Sequence, residues 1–326
     1  MSNFCSDYQE IKATLDKHNI KKLYHFTTVE NLSLISKCNG LWSKGKLEKD
    51  NLLDKILTGG NELSLTLDKE LGNWHMVHLY FCPHTPMVYN KQSEAHLCYF
   101  LIKPDVALRQ GVFFTNTNAT KKRNGHKRAE GIEGLKLIDF DVIKLTLKTG
   151  PKPWDPTWHR NVQAECLIPR EVPIDDIEAI KFISEASLKE GERLWGNKPH
   201  PPFKINKNLF HEGFPVLDSV ILTSSDISKD DVDLQSFEHE DKFCLGVQKI
   251  TLLTSVKATP CLEAKTVWFS AKEERIHEST TTFENENTYW HWPSINAVNL
   301  SAGEYYVEYY IGNIRWITIS FTLFDF

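Results

Sequence analysis

Residues 195–202 read Trp-Gly-Asn-Lys-Pro-His-Pro-Pro. Three prolines and a glycine in eight residues cannot continue a helix or a central strand, because proline lacks the backbone N–H and fixes φ. The stretch predicts a stiff, extended linker over residues 196–207, dividing the chain into a body over 1–195 and another over 208–326. The two sides differ in pattern: short strands and helical stretches mix before the linker, and β-branched and aromatic residues dominate after it. They also differ in charge. Residues 209–326 hold 8 Lys+Arg against 18 Asp+Glu, while the earlier residues hold 30 against 25. A chain of 326 residues has room for two such bodies.

Composition narrows the class. At 41% hydrophobic and 25% charged, the chain has the makings of a sizeable core. No run of 18 apolar residues predicts a membrane helix, and the first residues lack the basic and apolar regions of a secretory signal. Seven scattered cysteines, with no Cys-x-x-Cys pair, argue against a disulfide framework or a zinc site. The expectation is a reduced, cytoplasmic protein without a metal.

In the first body, residues 8–19 have the spacing of a short amphipathic helix. Lys22–Phe26 reads as a strand, followed by Thr27-Thr28-Val29-Glu30, the pattern of a capping box opening a helix that Asn39-Gly40 closes. Residues 44–75 are polar and lysine-rich and predict a long loop, or a short helix with a loop. Further strands are predicted at 77–82, 96–102, 112–115, 164–168 and 177–183, with the apolar run at 96–102 buried on both faces. Many short strands with few long helices make this an α+β body. In the second body, 220–223, 243–253, 266–269 and 305–323 read as strands, and Gly312-Asn313 is a two-residue hairpin turn of the glycine-first type. That predicts an all-β sandwich or barrel.

Three short segments of the first body bear on chemistry, and each has an ordinary explanation. Tyr24-His25-Phe26-Thr27 puts a histidine at a strand end, where most are core or surface residues. Tyr80-Phe81-Cys82-Pro83-His84-Thr85-Pro86-Met87 has two prolines three apart, which commonly only shape a loop. Gln163-Ala164-Glu165 sets an acid in an apolar strand, usually on the wet side of the pleat. Taken together and in this order, with Asn31-Leu32 after the first segment and Leu167 after the third, they resemble the DarT family, bacterial toxins that use NAD to ADP-ribosylate DNA. The resemblance spans about residues 22–190 and leaves the C-terminal body outside it.

The resemblance implies an ADP-ribosyltransferase-like split mixed β-sheet core with flanking helices, and NAD+ as co-substrate. It implies that Glu165 is the catalytic carboxylate, placed below a ribose that becomes cationic as the nicotinamide bond breaks, where it stabilises the transition state more than the ground state. His25 is implied to donate to the nicotinamide-side ribose, with Phe26 and Thr27 holding the nicotinamide amide. A helix beginning near Thr27 would turn its N-terminus toward the dinucleotide. Leu34, Trp42, Tyr80 and Tyr89 complete the implied cofactor-binding set, Tyr80 and Tyr89 as stacking aromatics with a core role as the alternative for Tyr80. No Gly-x-Gly-x-x-Gly or phosphate-loop pattern points to another nucleotide-binding mode. One departure matters: the best-known branch carries a catalytic arginine between the first two motifs, and here no arginine precedes Arg109. Lysines 44, 46, 49, 55 and 69, or His84, are the candidates to replace it, and His84 stands as the second catalytic candidate. A lysine lacks the planar fork of guanidinium, so thymine and guanine both stay open as the modified base. Asn116-Thr117-Asn118-Ala119 is a candidate part of such a variant acceptor site.

Nucleic acid should leave an electrostatic footprint. Lys121, Lys122, Arg123, Lys127 and Arg128 put five positive charges in eight residues, ahead of Trp158 and Arg160. Charges that follow phosphates and rings that stack on bases suit single-stranded DNA, with RNA as the alternative; the ordinary reading of the run is a solvated loop. The aromatic clusters of the acidic C-terminal body read as core or as a protein-binding face. A toxin implies an antitoxin, in this family often a macrodomain protein that removes the adduct, within a toxin–antitoxin or phage-defence system. The other readings are an RNA- or protein-modifying transferase, and a catalytically inactive module that binds NAD or nucleic acid.

Overall fold

A computed structural model describes residues 4–60, 62–120, 126–228 and 237–325. The chain forms two compact units, residues 1–182 with 194–211, and residues 183–193 with 212–326. The first unit is α+β. Its strands in chain order are β1 (Leu23–Thr28), β2 (Gly40–Trp42), β3 (Met76–Tyr80), β4 (Leu97–Ile102), β5 (Phe113–Thr115), β6 (Arg128–Glu130), β7 (Glu165–Pro169), β8 (Glu171–Pro173), β9 (Ile177–Phe182) and β10 (Phe203–Ile205). Its helices are α1 (Tyr8–Lys17), α2 (Leu32–Cys38), α3 (Lys44–Lys49), α4 (Glu62–Glu70), α5 (Pro86–Gln92), α6 (Gly131–Leu135), α7 (Phe140–Thr149) and α8 (Pro156–Asn161).

The main sheet runs β10-β9-β4-β1-β3-β7-β5-β6. It is mixed, because β10 pairs parallel to β9 while β1, β3, β4, β5 and β7 pair antiparallel. Strand β4 is buried along its whole length, as its unbroken apolar run predicts. The small sheet β2-β8 brings two backbones very close: a Cβ on Gly40 would sit 2.4 Å from the Val172 carbonyl oxygen, at a φ of +149°. Only glycine fits there. The lysine-rich stretch 44–75 is more ordered than its composition suggests. Ser43 caps α3 by accepting from the Lys46 N–H, and α4 follows.

The proline-rich segment contributes β10 to this sheet. A ninth helix, α9 (Glu185–Trp195), crosses the boundary between units, with residues up to Arg193 belonging to the second unit and Leu194 onward to the first. In the second unit the Ser184 hydroxyl donates to the Leu217 carbonyl, and Glu190 accepts from the Thr318 N–H.

Apart from its share of α9, the described part of the second unit is built of strands in two sheets: β11 (Val216–Thr223), β13 (Lys249–Ala258), β16 (Asn287–His291) and β17 (Ser294–Asn296) in one; β12 (Lys242–Cys244), β14 (Leu262–Ser270), β15 (Arg275–Phe283), β18 (Gly303–Ile311) and β19 (Ile314–Phe324) in the other. His291 joins them, its ring 3.0 Å from the Tyr309 hydroxyl and 2.9 Å from that of Thr281. Trp268, Tyr309 and Phe321 fill the space between. The β18–β19 hairpin turns at Gly312-Asn313 with Gly312 at φ +56°, as the glycine-first pair predicts. Tyr305 and Tyr309 point into the core, whereas Tyr306 and Tyr310 are half-buried on the other face of β18. No helix among the described residues is long and apolar enough to cross a membrane.

Candidate active site

Three adjacent strands of the first unit bring the three motifs together. Tyr24 of β1 pairs with Tyr80 of β3, and Tyr80 pairs in turn with Glu165, the first residue of β7. A cleft opens here, lined by His25, Phe26, Thr27, Leu34, Trp42, Tyr80 and Glu165 among others. Its apolar wall includes Ile35, Leu41, Leu47 and Ile56.

Glu165 is almost wholly buried, with 1% of its surface exposed. A buried acid needs partners, and it has two: the Ala119 N–H donates to Oε1 at 3.1 Å, and His78 Nδ1 lies 2.6 Å from Oε2. The loop that supplies Ala119 is itself pinned. Asn73 donates to the Ala119 carbonyl, Thr115 to the Thr117 carbonyl, and Asn118 accepts from the N–H and hydroxyl of Thr120. Asn118 and Thr120 line the cleft.

His25 Nδ1 is 2.9 Å from the backbone oxygen of His78. Burial pushes the His25 imidazole down to about 4, so the ring is neutral near pH 7. A carbonyl only accepts, so the single ring proton sits on Nδ1 and Nε2 is left as an acceptor. That differs from the expected donor role, since the ring proton is already used on the His78 carbonyl.

The first motif continues into the cleft wall by a route its sequence pattern missed. No capping box forms. Thr28 makes no side-chain cap, a single 3₁₀ turn (Val29–Asn31) intervenes, and α2 begins at Leu32 instead of near Thr27. Buried Asn31 takes over. Its amide donates to the Thr27 hydroxyl at 2.8 Å and to the Leu57 carbonyl at 2.9 Å, and its oxygen accepts from the Leu57 N–H at 2.8 Å. This fastens the loop carrying Leu57, Thr58 and Gly59, all of which line the cleft.

In the second motif, Tyr80 is buried and stacks on Phe26 with ring centroids 5.8 Å apart, while its hydroxyl meets the Met87 sulfur at 3.8 Å. Tyr80 thus fills the core role offered as its alternative and also lines the cleft. Thr85 caps α5 through the Val88 N–H, with Pro86 at the first helical position. His84 and Tyr89 are not brought to the cleft. Both pack edge-on against His211, at 5.6 and 5.3 Å. His84 thus sits against His211 and not on the cleft wall that holds Glu165, so it loses its place as a catalytic candidate.

Of the lysines considered as substitutes for an arginine, Lys44 lines the cleft, where its ammonium is 2.5 Å from Asp68. Lys46 pairs with Glu171 over the Trp42 ring, and Lys69 pairs with Glu48 over Trp74. Asp68 and His78 also line the cleft and were not foreseen. The only hint in the sequence is that His78 stands two residues before Tyr80 in an alternating strand and so shares its face.

Among the basic residues, Lys121, Lys122 and Arg123 lie outside the described residues. Lys127 is exposed, with its N–H bonded to Asn116. Arg128 turns inward, donates to the Leu71 carbonyl at 2.6 Å and lies over the Phe113 ring. Trp158 is 3% exposed, and its indole N–H donates to Thr146. It is core between α7 and α8, which corrects its assignment as a stacking ring. Arg160 is exposed.

The profile of a family described as DarT, ssDNA thymidine ADP-ribosyltransferase, matches residues 24–211. Among solved structures, the chain is similar to Thermus sp. 2.9 DarT in complex with NAD+ (18% identity, TM-score 0.45, 59% of this chain and 98% of that one). It is similar also to the same DarT in complex with ADP-ribosylated ssDNA (17%, 0.46, 59% and 97%). A third is Thermosipho africanus DarTG in complex with ADP-ribose (20%, 0.47, 63% and 54%). No curated protein matches the chain. With the family profile covering more than half of the sequence, the chain belongs to the DarT family of single-stranded-DNA thymidine ADP-ribosyltransferases, which use NAD+ as co-substrate.

Proposed function

We propose that the cleft of the first unit binds NAD+ and transfers ADP-ribose to a base of single-stranded DNA, with Glu165 as the catalytic carboxylate. The observation that carries this reading is that Glu165 and the His25–Thr27 segment line one cleft. The C1′–nicotinamide bond breaks and nicotinamide leaves with the bonding electrons. Positive charge grows on the ribose, and the Glu165 carboxylate stabilises it more in the transition state than before. A base nitrogen then bonds to C1′ and loses its proton to Glu165 or to solvent. His25 Nε2 accepts from a ribose hydroxyl, and the Thr27 hydroxyl, already accepting from Asn31, keeps its proton to donate. The apolar wall of Leu34, Leu41, Trp42 and Ile56 excludes water from the bound dinucleotide. Lys127 and Arg160, both exposed, supply charge for the phosphates of the strand.

In the cell, such an enzyme modifies its own host's DNA. We therefore read the protein as the toxin of a cytoplasmic toxin–antitoxin or phage-defence pair, with an antitoxin that removes the adduct. The test is incubation with labelled NAD+ and single-stranded DNA, RNA or lysate, followed by mass spectrometry of the released nucleosides. An adduct on thymidine or guanosine names the base. Glu165→Gln should lower transfer by on the order of 10²–10³-fold, about 3–4 kcal/mol of barrier. Unaltered transfer by a folded Glu165→Gln protein would remove the mechanism.

A further inference from the structure

Among the buried polar atoms of the cleft wall without a hydrogen-bond partner are His78 Nε2 and Asp68 Oδ1. They face each other at 3.8 Å. Through its other ring nitrogen His78 reaches Glu165 Oε2 at 2.6 Å, and through its other oxygen Asp68 reaches the Lys44 ammonium at 2.5 Å. Lys44, Asp68, His78 and Glu165 thus stand in a row, and all four line the cleft.

The protonation of the ring follows from this geometry. A neutral imidazole has one N–H and one lone pair. Each nitrogen of His78 faces a carboxylate, so a neutral ring would turn its lone pair toward one of them. The imidazolium, a donor on both sides, fits both, and the charges along the row then alternate. The Glu165 carboxylate is held through both oxygens, Oε1 by the Ala119 N–H and Oε2 by His78. The backbone of His78 acts on the other half of the site, since its carbonyl fixes the tautomer of His25.

We propose that His78 is a positioning residue for Glu165, an imidazolium that locks the carboxylate's orientation in the cleft and is itself held by the Asp68–Lys44 pair. The inference rests on the reading of Glu165 as the carboxylate that meets the ribose cation. A charge-assisted hydrogen bond of this kind is about twice as strong as a neutral one, and orientation of the acid is what a preorganised site needs. The groups facing His78 are Glu165, Asp68, Lys44 and the neutral ring of His25. Burial alone would favour the neutral ring. Glu165, by charge and by hydrogen bond, and Asp68 outweigh it and raise the His78 pKa above its ordinary value. The imidazolium therefore persists to higher pH than in a free histidine and is lost as pH rises through that raised value.

The experiment compares kcat against pH for transfer from NAD+ to a single-stranded DNA oligonucleotide in wild type, His78→Asn, His78→Ala and Glu165→Gln. Asparagine keeps a donor near the Nδ1 position but carries no charge; alanine keeps neither. His78→Ala should lower kcat by roughly 10–100-fold, as loss of an orienting partner typically does, with KM for NAD+ changed far less. His78→Asn should recover most of that loss and lack the alkaline limb that His78 gives the wild type. Equal losses in both variants, with a wild-type pH profile, overturn the proposal. A fully active Glu165→Gln removes the underlying reading instead; an inactive one beside pH-invariant His78 variants removes this inference alone. Should the His78 variants fail to fold, nitrogen NMR of the histidine rings in wild type decides: a His78 ring carrying one proton at neutral pH overturns the proposal, and a doubly protonated ring supports it.

Discussion

Asn31→Ala isolates the contribution of the loop that walls the cleft. The Asn31 carboxamide makes three hydrogen bonds, one within the first motif and two to the backbone of Leu57. Asn31 is 2% exposed, so its end of each bond is shut away from water. At about 1 kcal/mol net for each, the substitution removes about 3 kcal/mol. Leu57 is more than half exposed, so its freed backbone groups can turn to water, and the loss should appear as local opening before it appears as global unfolding. Three kcal/mol corresponds to an opening equilibrium shifted by roughly 100-fold, since each 1.36 kcal/mol is a factor of ten. Amide hydrogen exchange at Leu57 should quicken by about that factor, and KM for NAD+ should rise with a smaller change in kcat, because the loop binds and does not react. Asn31→Asp keeps the acceptor for the Leu57 N–H but turns an anion toward the Leu57 carbonyl, so it should be no better than alanine. Unchanged exchange at Leu57 in Asn31→Ala would show that the loop is held by its apolar contacts and that the three bonds contribute nothing.

Other substitutions separate residues that the sequence grouped together. Lys127→Glu should weaken single-stranded DNA binding and flatten its salt dependence, with the melting temperature unchanged, whereas Arg128→Glu should lower the melting temperature because its side chain is tied to Leu71 and Phe113. Trp158→Ala should destabilise the first unit by about 3–5 kcal/mol through the cavity it leaves, measured by denaturant unfolding. Gly40→Ala should destabilise as well, since its Cβ would strike the Val172 carbonyl. Burial holds His25 and His84 at about 4 and His96 at about 3. An unfolded chain takes up protons on all three below about pH 6.5, so stability should fall as pH drops from there toward 4. A melting temperature flat across that window would contradict their burial.

The parts of the site legible in the sequence are those whose chemistry is contiguous. Tyr24–Thr27, Tyr80–Met87 and Gln163–Glu165 are each contiguous in the chain, so the family resemblance could be read from them in order, and the sheet order then placed β1, β3 and β7 side by side. What stayed hidden depends on where side chains turn. His78 sits in an apolar strand and looks like core, and Asp68 is lost in a polar stretch read as loop, although it is buried and faces His78. Arg128 and Trp158 matched a nucleic-acid footprint by composition, but one points inward and the other fills a gap between helices. Thr27–Glu30 carried the letters of a capping box, yet Asn31, one residue on, bonded to Leu57 and moved the helix start to Leu32.

Helix α9 bears on how this protein can be taken apart. The first unit takes back Leu194–His211, including a strand of its own sheet, after the chain has already given Ile183–Arg193 to the second. A gene fragment ending at Phe182 lacks that strand, and one ending at His211 carries a helix stripped of the β-sheets it serves. No single cut yields either half intact, so fusion partners and epitope tags belong at the chain termini, and shuffling of the enzyme between proteins would have to carry the helix and its neighbours as one inheritance.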